Sequence, residues 1–222
     1  MQVRDFVFPQ RSQHHTEKLK KDGMMNIMEF SAAFSCACAL MSTSANALDT
    51  SLYAEAAPED ASFVRFVGFE QTETPAFGGK AFALHDVAQG VYVPVSAALL
   101  DGVPAGSYAS VVKAADGQVQ VIEEAPRSRD AKVSLFLVNA SDAALDLRLA
   151  DNAATVIDSV QAGTSGLRAV NPVQASLGVF ADGSDVAIET FDVTLQRGQN
   201  LTFLATEDGV QLIKNSFGPV AK

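Results

Sequence analysis

Tryptophan is absent from this chain, and its two cysteines, Cys36 and Cys38, both fall in an N-terminal stretch that reads as removable. Without tryptophan the protein lacks the largest aromatic platform available to a flat ligand. A mature chain without cysteine has no disulfide, no thiol nucleophile and no thiolate metal site, so its core alone must hold it together. Cations are scarce: 16 Lys and Arg stand against 26 Asp and Glu, for a net charge of −10. That balance argues against nucleic acid and anionic lipid as partners. Long apolar runs are missing too. The best, FSAAFSCACALM from Phe30 to Met41, is too short for a resident membrane span. No window carries a sustained apolar stripe of helical period, so little helix is expected.

What is present begins with a leader. Lys18, Lys20 and Lys21 precede the apolar run, and Ala45-Asn46-Ala47 follows it with small residues at the right spacing. This order predicts a signal peptide over 1–47, cleaved after Ala47, and hence export. Ala33 and Ser35 stand three residues before the cysteines, where a lipoprotein anchor needs a Leu-like residue.

Beyond the leader the period of two dominates. Ser62–Val67, Gly90–Val95, Ser107–Lys113 and Gln118–Ile122 read as strands, the last two joined by a hairpin at Asp116-Gly117. Between the first two lies a poorly patterned segment, 68–88. In a second half, Val133, Leu135 and Leu137 alternate with Lys132, Ser134 and Phe136, which predicts one buried face. Leu145, Leu147 and Leu149 repeat that pattern. Further strands are expected at Thr155–Val160, Leu167–Val170, Val173–Phe180, Val186–Phe191, Val193–Leu195, Leu201–Thr206 and Val210–Asn215. A turn is expected over Gly163–Gly166. The charged stretch EEAPRSRD, with Pro126 unable to donate to a ladder, separates the halves. The expected architecture is all-β: two small antiparallel β-sandwich domains in tandem, Ig-like or jelly-roll-like. Their bounds are 48–124 and 132–222, with a linker at 125–131.

Candidate chemistry is sparse. His14 and His15 belong to the leader, leaving His85 as the one ordinary acid or base of the mature chain. It has no cysteine partner, and no serine stands in a G-x-S-x-G elbow. Asp142, Asp146, Asp151 and Asp158 lack the spacing of a calcium loop and read as solvated. Glu123 and Glu124 are placed to pair with Arg127 and Arg129 within the connector. Asn139-Ala140-Ser141 and Asn200-Leu201-Thr202 match the glycosylation sequon. No catalytic, cofactor-binding or metal-binding residue is assigned, and no cofactor is expected.

Six stretches carry a resemblance in chain order: LYAEAAPEDASFVRF from Leu52, Gln89-Gly90-Val91-Tyr92, GSYASVVKAADGQVQVIEEAP from Gly106, KVSLFLVNASDAALDLRLAD from Lys132, NPVQASLGVFADG from Asn171, and VTLQRGQNLTFL from Val193. Together they resemble the periplasmic alginate O-acetylation protein family AlgF, with 68–88 departing from it. The resemblance implies a non-catalytic periplasmic adaptor for O-acetylation of alginate. Its expected partners are periplasmic alginate O-acetyltransferases and a membrane-bound O-acyltransferase complex. The alternative is a polysaccharide-binding β-sandwich module acting on alginate itself.

Overall fold

In the computed structural model, residues 56–85, 87–126 and 131–221 are described; the leader and Arg127 and Arg129 lie outside them. Among these residues the chain is all-β, with one three-residue 3-10 turn at Ala97–Leu99. The first half builds one four-stranded sheet from β1 (Ala61–Val67), β4 (Val93–Ser96), β5 (Tyr108–Lys113) and β6 (Val119–Glu124), in the order β4-β1-β5-β6. A small hairpin, β2 (Ala76–Phe77) with β3 (Lys80–Ala81), accompanies it. The second half holds two four-stranded sheets. One contains β7 (Val133–Asn139), β10 (Thr164–Val170), β13 (Asn200–Thr206) and β14 (Gly209–Lys214), ordered β10-β7-β13-β14. The other contains β8 (Leu145–Leu149), β9 (Thr155–Val160), β11 (Gln174–Ala181) and β12 (Ala187–Thr194), ordered β12-β11-β8-β9.

Two pairings are parallel, β1 with β5 and β7 with β13. Strand alternation alone cannot reveal this, because parallel neighbours are set by the crossover between them.

The inner faces of the second half close a core of Leu135, Leu137, Leu147, Val179, Leu201 and Phe203, all nearly sealed from solvent. Burying each such side chain contributes roughly 1.5–3 kcal/mol. In the first half Val64, Phe66, Ala109 and Val111 form one face of the sheet. The segment 68–88, unpatterned in sequence, covers that face with Phe69, Phe77, Phe82 and Leu84. Its apolar residues follow turns instead of a period, so no strand or helix template finds them. Gly68 makes the turn into it at φ +82°, and a Cβ there would sit 2.2 Å from the Lys113 carbonyl oxygen.

Several sequence expectations change. β7 is buried on both faces, not one: Phe136 is sealed from solvent, and Val138 packs in a second apolar layer apart from the sandwich core. That layer joins Val138, Ala140 and Leu204 to Val67, Val112 and Ile122 of the first half. The sheet of β7 is thus the middle of three stacked sheets. Gly166 lies inside β10 rather than in a turn, and a Cβ there would come 2.4 Å from the Ile157 side chain. The two strands expected over 186–195 are one, β12, with a bulge opposite Val179 and Phe180.

The C-terminal tail returns to the first half. Phe217 and Ala221 bridge in parallel to Tyr92 and Val95, adding the tail outside β4. Limited trypsin digestion at Arg127 or Arg129 is therefore expected to leave two fragments that co-elute in size exclusion. Separation of the fragments under native conditions would count against the shared layer.

Candidate functional site

The densest polar cluster lies where the first sheet meets the middle one. The cross-strand register of the first sheet sets Phe63, Tyr108 and Glu124 in one row, and Arg65, Ser110 and Ile122 in the next. Both rows face the second half. Arg65 is fully buried, and its guanidinium has three partners: Nε donates to Ser110 Oγ at 2.6 Å, NH2 to Glu124 Oε1 at 2.9 Å, and NH1 to Asn215 Oδ1 at 3.0 Å. Ser110 Oγ in turn donates to Glu124 Oε1 at 2.6 Å, and Tyr92 Oη donates to Glu124 Oε2 at 2.7 Å. The guanidinium also lies 4.7 Å from the Tyr92 ring centroid. Thr202 Oγ1 completes the circuit by donating to Asn215 Oδ1 at 2.9 Å.

A buried ion pair needs its remaining donors and acceptors satisfied to offset desolvation. Here both carboxylate oxygens and all three guanidinium nitrogens are engaged. Among the described residues, Asn215 Nδ2 is the one buried side-chain polar atom without a partner. Aromatic rings close the solvent side: Phe63 stacks on Tyr108 at 4.6 Å, and Phe217 of the tail meets Phe63 edge-on at 5.4 Å.

Ser110 beside a carboxylate has the look of an activated nucleophile, but it is sealed from solvent. Its hydroxyl proton is committed to Glu124 while Arg65 occupies a lone pair. Both oxygens of the Glu124 carboxylate are already taken, by Arg65, Ser110 and Tyr92. The arrangement is a joint: it fixes Asn215 and Thr202 of one half against Arg65 and Glu124 of the other.

Sequence reasoning expected Glu124 to pair within the connector; it pairs with Arg65 instead, because its register turns it inward opposite Tyr108. Arg65 was legible only as an oddity, a cation in SFVRFV with no polar face to occupy. Asp146, read as solvated, is buried; it accepts from Arg148 at 2.5 Å and from the Ser159 amide at 2.6 Å. The Asn139 sequon is closed off, since that side chain is fully buried and donates to the Ala143 and Val160 carbonyls. His85 sits exposed in a turn, lining a cleft of about 450 Å³ between the hairpin and the tail whose lining does not include Ser110. Near the surface, a hydrogen bond from Lys113 holds the Glu73 carboxyl below its ordinary range. Among the described residues no group of three His, Cys, Asp or Glu side chains is arranged to hold a metal.

Fold and site together define an all-β protein of two joined β modules, with its strongest polar chemistry spent on holding the modules together. Residues 96–202 match the family model described as "Alginate O-acetyl transferase AlgF". The alginate biosynthesis protein AlgF of Pseudomonas fluorescens is 31% identical over 195 residues, covering 80% of this chain and 87% of that one. Its namesake in Pseudomonas aeruginosa is 28% identical over 198 residues, covering 79% and 88%. A solved structure of the C-terminal domain of AlgF from P. aeruginosa aligns at 27% identity with a TM-score of 0.33, covering 37% of this chain and 94% of that one. The chain belongs to the AlgF family of alginate biosynthesis proteins.

Proposed function

We propose that this protein is an exported, periplasmic, non-catalytic adaptor required for O-acetylation of alginate. In this reading it holds periplasmic O-acetyltransferases in reach of a membrane-bound O-acyltransferase complex. One observation carries the reading: the hydroxyl–carboxylate pair that a guanidinium also joins, Ser110 with Glu124 and Arg65, is buried as a joint and offers no entry to substrate. A covalent acetyl carrier needs an accessible nucleophile with a free base in hydrogen-bond reach. An adaptor needs rigid, well-separated surfaces, and a stack of three sheets supplies them.

A second reading, binding of the polymer itself, has one cleft in its favour. It measures about 360 Å³ and brings Arg197, Lys214, Asn200 and the orphaned Asn215 amide beside the half-exposed Phe217 ring. Cations, amides and an aromatic edge suit a uronate. The adaptor reading ranks first because this cleft is shallow and its two cations stand in a chain of net charge −10.

Deleting the protein is expected to abolish or strongly reduce polymer acetylation in cells, with polymer still made. Calorimetry of the purified mature chain against oligomannuronate should show no saturable heat. Saturable binding lost in Lys214→Ala would favour the second reading, and normal acetylation after deletion would remove the adaptor reading.

A further inference from the structure

Each sheet has two edges, and most are visibly closed. The tail covers β4: the Gly218 amide donates to the Tyr92 carbonyl at 2.8 Å, and the Ala221 amide to the Pro94 carbonyl at 2.8 Å. β6 is met by β10, where Ser165 Oγ donates to the Glu123 carbonyl at 2.7 Å. β9 is broken by two register irregularities and by Ser159 at φ +48°. β14 ends in the exposed Lys214, the kind of residue that blunts an edge.

β12 passes beside β14 of the facing sheet, yet among the described residues its own free edge carries no ladder, tail or lysine. It is an eight-residue edge strand, none of whose residues is buried, and among the described residues its ladder runs to β11 alone. It contains neither proline nor lysine. From Glu189 to Thr194 its register is unbroken. Val186 and Ile188, at its start, are 76% and 48% exposed, the first being the most exposed large apolar side chain described. Its charge is one-sided. Asp182, Asp185, Glu189 and Asp192 stand in a stretch with no lysine or arginine between Arg168 and Arg197.

We propose that β12 is a docking edge that takes an extended, basic segment of a partner protein as an added strand. This deepens the adaptor reading and rests on it. Main-chain hydrogen bonds would supply affinity, while alternate side chains supply selectivity. A second copy of this chain is the wrong occupant. Antiparallel pairing of β12 with itself would bring two strands of the same negative charge edge to edge, and like charges that meet across a strand pair destabilise it. Glu189 and Asp192, three residues apart and so on opposite faces of the strand, favour an added strand that carries lysine or arginine. Val186 and Ile188 offer its apolar residues a surface at the bulged end.

The test uses the full mature chain, labelled for amide NMR, and an alternating lysine–valine heptapeptide as probe, with a glutamate–valine heptapeptide as control. Shifts and slowed exchange are expected at β12 amides with the lysine peptide and not with the control. The double variant Glu189→Lys/Asp192→Lys, both exposed, should weaken the lysine peptide at least tenfold and admit the glutamate peptide. Thr190→Pro should weaken the lysine peptide, with an unchanged spectrum in the β7–β13 core confirming the fold. Three results would overturn the proposal: shifts centred elsewhere, indifference to charge reversal, or wild-type self-association through β12. A cellular arm separates the two ideas. If deletion abolishes polymer acetylation but the charge-reversed variant restores it fully, the docking edge falls and the adaptor reading stands. If deletion itself has no effect, the adaptor reading falls.

Discussion

Replacing Glu124 by alanine is expected to destabilise the mature protein by about 3–5 kcal/mol, the range for removing one partner of a buried ion pair. The loss arises mostly from what remains. Arg65 keeps its charge in a site with no solvent, with Ser110 and Asn215 as its only polar partners and Tyr92 Oη stripped of its acceptor. Denaturant unfolding measures it, and the transition should stay single because the apolar layer of Val67, Val112, Ile122, Val138 and Leu204 still links both halves. The double variant Arg65→Met/Glu124→Leu should recover most of the loss, since apolar residues of similar volume often match or exceed a buried pair. A Glu124→Ala cost under about 1 kcal/mol would mean the pair is wetter than the geometry shows.

Phe203→Ala should cost about 3–5 kcal/mol. Phe203 is fully buried in the sandwich core and meets Phe191 edge-on at 5.5 Å. Phe191 comes from β12, so the cavity would also loosen the strand proposed as the docking edge. Faster amide exchange along β12 than in the first sheet would show that coupling. A uniform change across the chain would contradict it.

Much of this fold was legible because residues such as Leu145, Leu147 and Leu149 alternate with the polar Asp146 and Arg148, which marks one face as core even though Asp146 is itself buried. The Asp116-Gly117 hairpin was legible for a local reason too: Gly117 takes φ +86°, which a glycine adopts without strain. What escaped depends on contacts distant in sequence. Arg65 and Asn215 are 150 residues apart, and nothing in either neighbourhood announces the other. β7 reads as half-buried because Ser134 and Lys132 suggest a wet face; the first sheet, packing from outside, dries it. The apolar cover from Phe69 to Leu84 escaped because turns place its side chains without any period. The docking edge is a feature of sheet order, which the alternation within β12 does not encode.

The central claim is that this protein serves acetylation without carrying the acetyl group, and the most direct measurement is polymer acetylation by variants that remove its two candidate groups. In cells lacking the native copy, His85→Ala and Ser110→Ala are each supplied, and polymer acetyl content is normalised to folded protein in the cell extract. The account predicts near-normal acetylation for both, with Ser110→Ala lowering only the amount of protein, because its hydroxyl serves the joint. Acetylation falling to the level of the deletion, at normal protein amount, in either variant would contradict it and place a catalytic group in this chain.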